Sequence, residues 1–185
     1  FVPLGCDSPM TLSEVLEHTE TGRRYASLLS GMDLHPILKD AHGSVLSYPL
    51  TDAAVLEVAR GGILRAGLAF DHCDVAVITN IGEGDHLGLL EVNTPEELAA
   101  VKQVIVGAVS ANGYAVLNAT DPLVVKMAET YHRKTIFFAI DAENDVIFRQ
   151  RDAGERAVFT REGWPILAEG GKEKTLIALS EVPLT

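Results

Sequence analysis

Polar side chains follow three short apolar runs between residues 52 and 122. They are Glu57, Asn80 with the nearby Asp85-His86 pair, and Asn118 with Asp121. Continuous apolar runs of this length are typical of parallel strands buried on both faces. Ligands of open α/β sheets collect at the carboxyl ends of such strands. A carboxylate, an imidazole and an amide that converge there would suit a nucleotide with a bound metal ion.

Glu57 interrupts the apolar stretch Ala-Val-Leu-Glu-Val. A charge in such a stretch is costly unless it is paired or bound to a cation, and Mg²⁺ prefers carboxylate oxygen. Glu57 is therefore a candidate magnesium ligand. The alternative is a glutamate that reaches solvent or pairs with Arg60 or Arg65. Gly61-Gly62 permits close backbone approach, or forms only a tight turn.

The loop after Thr79-Asn80 contains Asp85 and His86 between glycines. His86 is a candidate metal ligand whose ring Asp85 would orient. Alternatively, Asp85 caps the next turn and His86 is simply exposed.

Asn118 and Asp121 follow the next strand. Asn118 is a candidate for binding a nucleotide base through its amide, or else it holds its own loop. Asp121 precedes Pro122, and the role of helix N-cap already explains its identity.

A phosphate-binding loop is missing from these 185 residues. The P-loop pattern needs Gly-x-x-x-x-Gly-Lys-Ser/Thr after a strand. The one Gly-Lys step, Gly171-Lys172, is followed by Glu173, and Ile166 occupies the position of the first glycine.

The composition is that of a globular protein, with 47% hydrophobic and 22% charged residues. The formal net charge of −11 disfavours nucleic acid as a partner. No apolar run approaches the roughly 20 residues that span a bilayer, so we expect no membrane partner and a cytoplasmic location. Cys73 precedes a buried strand and is expected to be a reduced, packed thiol.

Strands and helices alternate after residue 51, which predicts right-handed parallel crossovers and an α/β fold. After Asp141 the short apolar segments are closely spaced, with glycines between them, and predict a small antiparallel β meander. We predict one domain, 1–185, with a poorly assigned N-terminal segment 1–50, an α/β body 51–141 and a β extension 142–185. The predicted strands are 53–58, 75–79, 114–117, 135–140, 146–149, 156–161, 164–168 and 174–179. The predicted helices are 63–70, 94–113 and 121–131.

Taken together, these segments resemble the central ATPase domain of the Mur ligase superfamily, and most of all its cyanophycin synthetase branch. The resemblance covers about residues 52–185. The strings that carry it are 53–65, 67–71, 73–75, Thr79-Asn80-Ile81, 84–88 and 113–119.

The resemblance implies a mostly parallel sheet with flanking helices and an ATP-dependent amide ligase that acts through an acyl phosphate. It implies Mg²⁺ bound by Glu57 and His86, and a nucleotide pocket that includes Asn80, Asn118 and Asp121. Expected partners are a nucleotide, an amino acid or polypeptide substrate, and further copies of the chain in a homo-oligomer. Without a phosphate loop, we expect the chain alone to be inactive. The alternative is a non-catalytic, degenerate Mur-like module for assembly or polymer binding.

Overall fold

The structure is a computed structural model that describes residues 53–68, 70–81, 88 and 92–181. The contacts within the chain divide it into two compact units, Phe1–Val58 with Pro183–Thr185 and Ala59–Val182. The helices and strands described below all lie in the second unit. The subdivision at residues 50 and 141 stays a prediction, because residues 1–52 lie outside the described residues.

Four α-helices and one short 3-10 turn occur among the described residues. The helices are α1 (Arg60–Ala66), α2 (Pro95–Gly107), α3 (Pro122–Tyr131) and α4 (Asp145–Asp152), and the 3-10 turn is Leu179–Glu181. No helix in this portion of the chain is long and apolar enough to cross a bilayer.

Six strands form one mixed sheet in the order β1-β2-β3-β4-β5-β6. Strands β1 to β4 are mutually parallel, whereas β4, β5 and β6 pair antiparallel. This confirms the predicted fold class, with the antiparallel region continuing the same sheet. The strands are β1 (Cys73–Ile78), β2 (Val109–Asn118), β3 (Lys134–Asp141), β4 (Ala157–Arg161), β5 (Trp164–Glu169) and β6 (Lys172–Thr175).

The start of α2 follows from local chemistry. The hydroxyl of Thr94 accepts a hydrogen bond from the backbone N–H of Glu97 at 3.2 Å, and the Glu97 carboxylate accepts one from the N–H of Thr94 at 3.1 Å. Together with Pro95 at the first helical position, these bonds form the predicted capping box. The helix ends at Gly107, six residues before the predicted end.

One face of the sheet carries the core. Buried sheet residues at matching register, such as Leu117 and Phe137, pack with buried residues of α2, α3 and α4, such as Leu98 and Val124. On the opposite face Val75 and Val77 of β1 are each 55% exposed. The helices that begin after β1 and β2 therefore cover one side of the sheet and hold its parallel strands together.

The predicted strand 53–58 is wrong. These residues have no regular secondary structure, and Val55 is 97% exposed. A strand needs a hydrogen-bonded neighbour and a buried face, and β-branched residues alone supply neither.

The predicted strand 146–149 is also wrong, because these residues lie within α4. The Asn144 side chain accepts hydrogen bonds from the N–H groups of Val146 at 2.9 Å and Ile147 at 3.3 Å. This N-cap and the acidic Asp145 in the first turn favour a helix over the β preference of Val-Ile-Phe. The predicted strands 156–161 and 164–168 occur as β4 and β5, whereas the predicted strand 174–179 coincides with β6 only at Lys174 and Thr175.

Candidate functional site

The carboxyl ends of β1 and β2 lie side by side. The two strands are parallel neighbours, and Ile78 at the end of β1 is in register with Leu117 near the end of β2. The segment after β1, Thr79 to Ile81, therefore meets the segment Asn118 to Asp121. We call these two segments the carboxyl edge.

Asn118 joins the two segments through its amide group. Its Nδ2 donates a hydrogen bond to the backbone carbonyl of Thr79 at 2.7 Å. Its Oδ1 accepts from the backbone N–H of Thr120 at 2.8 Å and from the Thr120 hydroxyl at 2.7 Å. Asn118 therefore holds its own loop, and its role in binding a nucleotide stays a prediction.

Asp121 uses both carboxylate oxygens. Oδ1 caps α3 by accepting from the N–H of Leu123 at 2.9 Å and of Val124 at 3.3 Å, which confirms the predicted N-cap. Oδ2 accepts from the N–H of Ile81 at 2.7 Å. The second bond links residues 40 positions apart and ties the start of α3 to the end of β1.

Lys102 of α2 also reaches the carboxyl edge, and the sequence analysis missed it. Its Nζ donates to the backbone carbonyl of Asn80 at 3.2 Å. The Asn80 side chain accepts from the Thr79 hydroxyl at 3.1 Å. Lys102 is the single basic residue of α2, a signal that could have singled it out. Its ammonium group brings positive charge to this edge, which suits an anionic ligand.

The metal-binding roles of Glu57 and His86 stay predictions. Glu57 is exposed and belongs to the first unit. Asp85 and His86 lie outside the described residues. Gly61 and Gly62 lie inside α1, so the alternative of a tight turn at these residues is wrong. A Cβ on Gly61 would meet only the flexible end of the Arg65 side chain, and one on Gly62 would meet no atom within 4 Å.

No three His, Cys, Asp or Glu side chains among residues 53–68, 70–81, 88 and 92–181 lie close enough to share a metal ion. Both oxygens of Asp121 are engaged by backbone N–H groups. The described carboxyl edge therefore supplies amide, hydroxyl and ammonium groups, and a metal ion here would need ligands from elsewhere in the chain.

Cys73 opens β1 as a free, partly buried thiol, as expected. Burial raises its pKa, and the neighbouring charge of Asp74 raises it further. A raised pKa keeps the thiol protonated and unreactive at neutral pH.

The family model of the Mur ligase middle domain matches residues 44–164. The chain belongs to the Mur ligase family. Cyanophycin synthetase of Crocosphaera subtropica is 43% identical over 143 residues, which are 77% of this chain and 16% of that protein. The cyanophycin synthetase of Synechocystis is 45% identical over 142 residues, again 16% of its length. The chain thus spans about a sixth of these curated relatives.

A second, shorter likeness belongs to another class of protein. The β subunit of phenylalanine–tRNA ligase from Methanococcoides burtonii is 49% identical over 49 residues, which are 26% of this chain and 9% of that subunit. This likeness is too short to assign the chain to a second family.

Proposed function

We propose that this chain is a piece of an ATP-dependent amide ligase of the cyanophycin synthetase kind, which joins an amine to a carboxylate through an acyl phosphate. The observation that carries the proposal is the identity of 43% to cyanophycin synthetase over 77% of the chain. The carboxyl edge supports it, because amide, hydroxyl and ammonium groups of three elements meet where α/β sheets bind nucleotides.

The proposed nucleotide site lies at the carboxyl edge and includes Asn80, Asn118 and Asp121. We assign Mg²⁺ to Glu57 and His86 on the resemblance to Mur ligases, since carboxylate and imidazole are suitable ligands. Bound Mg²⁺ would neutralise phosphate charge during phosphoryl transfer. The contribution of the described residues is to hold the edge at which the nucleotide would bind.

The chain by itself is expected to be inactive, because its sequence lacks the loop that would hold the β- and γ-phosphates. An amino acid or polypeptide substrate, a homo-oligomeric assembly and a cytoplasmic location belong to the same proposal.

The alternative is a non-catalytic, degenerate Mur-like module for assembly or polymer binding. The lack of a P-loop pattern in these 185 residues is consistent with this alternative. The complete reading frame separates the two functions. A Gly-Lys-Thr loop encoded upstream supports the amide ligase, and its absence from the full gene supports the degenerate module.

Calorimetric titration of Mg-ATP into the 185-residue chain tests the ligand sites directly. We expect weak binding by the wild type, and binding weakened at least tenfold in Glu57→Ala and in His86→Ala. His72→Ala, which removes an exposed histidine before β1, is the matched control and should bind as the wild type does.

Equal binding by all four proteins would refute the metal assignments. Absence of binding by the wild type would refute ATP binding by this chain and favour the degenerate module.

A further inference from the structure

The three residues after β1 are each held by a different side chain. The carbonyl of Thr79 accepts from Asn118, the carbonyl of Asn80 accepts from Lys102, and the N–H of Ile81 donates to Asp121. The holding side chains come from the end of β2, from α2 and from the N-cap of α3. Beyond the last paired residue of β1, three consecutive residues thus each have a backbone group bonded to a side chain from a different element.

The side chain of Ile81 adds a further constraint. It is 2% exposed and belongs to the buried core, whereas Thr79 and Asn80 are exposed. The chain therefore enters its next segment, which begins Gly82-Glu83-Gly84, from a residue anchored both by its backbone and by its side chain.

The two ends of the Asn118 amide and the two oxygens of Asp121 are all engaged within the chain. A direct contact with a nucleotide through the Asn118 oxygen or the Asp121 carboxylate would require these bonds to be shared or broken, whereas the second hydrogen of the Asn118 NH₂ group could donate without that cost. Because a hydrogen bond to a charged group is among the stronger ones in proteins, exchanging the Asp121 bond for a ligand contact would gain little.

We propose that Asn118 and Asp121 are positioning residues, which fix the backbone from Thr79 to Ile81 as one unit and act on the nucleotide through that segment. Action on the nucleotide rests on the proposed function, whereas fixing of the backbone concerns this chain alone. The two claims are therefore tested by different measurements on the same variants.

Two isosteric variants separate positioning from other roles. In Asp121→Asn the remaining oxygen still caps α3, since Asn and Asp are equally good N-caps, but an NH₂ group replaces the acceptor for the Ile81 N–H. In Asn118→Asp the acceptor for Thr120 remains, but a carboxylate oxygen replaces the donor to Thr79. Asp141→Asn is the control: it makes the same change at the end of β3, where the Asp141 carboxylate accepts from the N–H of Glu143 in its own loop.

The first measurement is backbone amide hydrogen exchange, followed by NMR on the full chain. We expect Ile81 to exchange about tenfold faster in Asp121→Asn, the factor for one lost hydrogen bond to a charged group. We also expect faster exchange of Ile81 in Asn118→Asp, although Asn118 makes no bond to that amide. Unchanged exchange of Ile81 in Asn118→Asp would overturn the claim that the segment is held as one unit.

The second measurement is the Asn118 side-chain NH₂ signal during titration with Mg-ATP. If Asn118 is a positioning residue, this signal keeps its chemical shift when the wild type is saturated with Mg-ATP. We expect Asp121→Asn and Asn118→Asp to bind Mg-ATP about tenfold more weakly, and Asp141→Asn to bind it as the wild type does. A large shift of the Asn118 signal would show direct contact and overturn the proposal. If the wild type binds no Mg-ATP, the proposed function fails, and action on the nucleotide fails with it. The hydrogen-exchange result still decides whether the segment from Thr79 to Ile81 is held as one unit.

Discussion

The parallel region of the sheet and its antiparallel end are held together in different ways. Where β1 and β2 end, side chains bond to backbone groups of distant residues, as Asn118 does to Thr79 and Asp121 to Ile81. In the β4–β6 region, most side-chain links are ion pairs at the surface, such as Arg161 with Glu173 at 2.7 Å, and one hydroxyl, that of Thr160, donates to the backbone carbonyl of Ile140. A bond to the backbone fixes the course of the chain, whereas an exposed ion pair is screened by water and contributes little.

This difference indicates which region of the sheet can carry a site. Groups that are held in one arrangement before the ligand arrives bind it at a lower cost of ordering. The carboxyl edge meets that condition through bonds that specify backbone positions. The β4–β6 region instead closes the core with one buried ring, Phe159, and its charged pairs lie outside.

The largest effect is expected from Phe159→Ala. The Phe159 side chain is 0% exposed in the core, and the guanidinium groups of Arg151 and Arg161 lie over its ring at 4.7 and 5.3 Å. Removing such a ring costs about 4 kcal/mol, measured as the free energy of unfolding in urea. Phe148→Ala is the control, since Phe148 is 55% exposed. Similar losses in both variants would show that the antiparallel region is not held by its buried ring.

Gly113→Ala should have the next largest effect and tests how closely β1 and β2 approach. A Cβ at Gly113 would lie 2.4 Å from the backbone oxygen of Asp74, and backbone cannot move aside as a flexible side chain can. We expect a loss of about 3 kcal/mol in the free energy of unfolding.

Gly62→Ala in α1 is the matched control for this change, because its new methyl group would meet no atom within 4 Å. Replacing glycine by alanine inside a helix generally stabilises by about 0.5–1 kcal/mol. If Gly113→Ala were as stable as the wild type, the close pairing of β1 with β2 at this position would be refuted.

The loss of unfolding free energy in Asp121→Ala, compared with that in Thr94→Ala, measures what the second hydrogen bond of Asp121 contributes. Both Asp121→Ala and Thr94→Ala remove an N-cap, which costs about 1 kcal/mol. Asp121→Ala also leaves the N–H of Ile81 without its acceptor, so we expect a total of about 2 kcal/mol. Equal losses of unfolding free energy in the two variants would mean that the bond to Ile81 contributes nothing to stability.

The smallest effect is expected from Glu173→Gln in β6. The hydrogen bond from Arg161 holds the pKa of Glu173 below its ordinary value, and the charge of Arg151 acts in the same direction. Its folded pKa is lower than its unfolded pKa, so its contribution is present above the ordinary glutamate pKa. That contribution is lost as the pH falls through the lower folded value.

Because the Glu173 side chain is 33% exposed, we expect a difference from the wild type below about 1 kcal/mol at pH 7. The difference should shrink in 1 M salt and at pH values below the folded pKa. Unfolding curves at these conditions, with Glu155→Gln as the control at an exposed position, check both expectations. A larger, salt-independent loss would contradict the contrast between the two regions of the sheet.

Much of the α/β body could be predicted because its signals are local. The capping box at Thr94 lies within four residues, and the apolar run at Val75–Thr79 identifies β1. The meeting of Thr79 with Asn118, 39 residues apart, followed from one topological rule: parallel neighbours end at the same edge.

Other features could not be predicted because they depend on distant partners or on competing local signals. The contact of Lys102 with Asn80 joins residues 22 positions apart, and the isolated basic residue in α2 gives no indication of its partner. The second oxygen of Asp121 binds Ile81, although the capping role alone explained its identity. In α4, the cap at Asn144 outweighed the β preference of three residues, and the stretch around Val55 lacked the pairing that a strand needs.

The last strand of the described sheet shows how a protein can end a sheet safely. All four residues of β6 are exposed, and Lys172, Glu173 and Lys174 place charge on every position but the last. An outer strand with unpaired N–H and carbonyl groups is a template on which other chains can aggregate, and charged side chains discourage such growth. Replacing these charges with valine or isoleucine would therefore threaten the solubility of the chain at high concentration more than the stability of its fold.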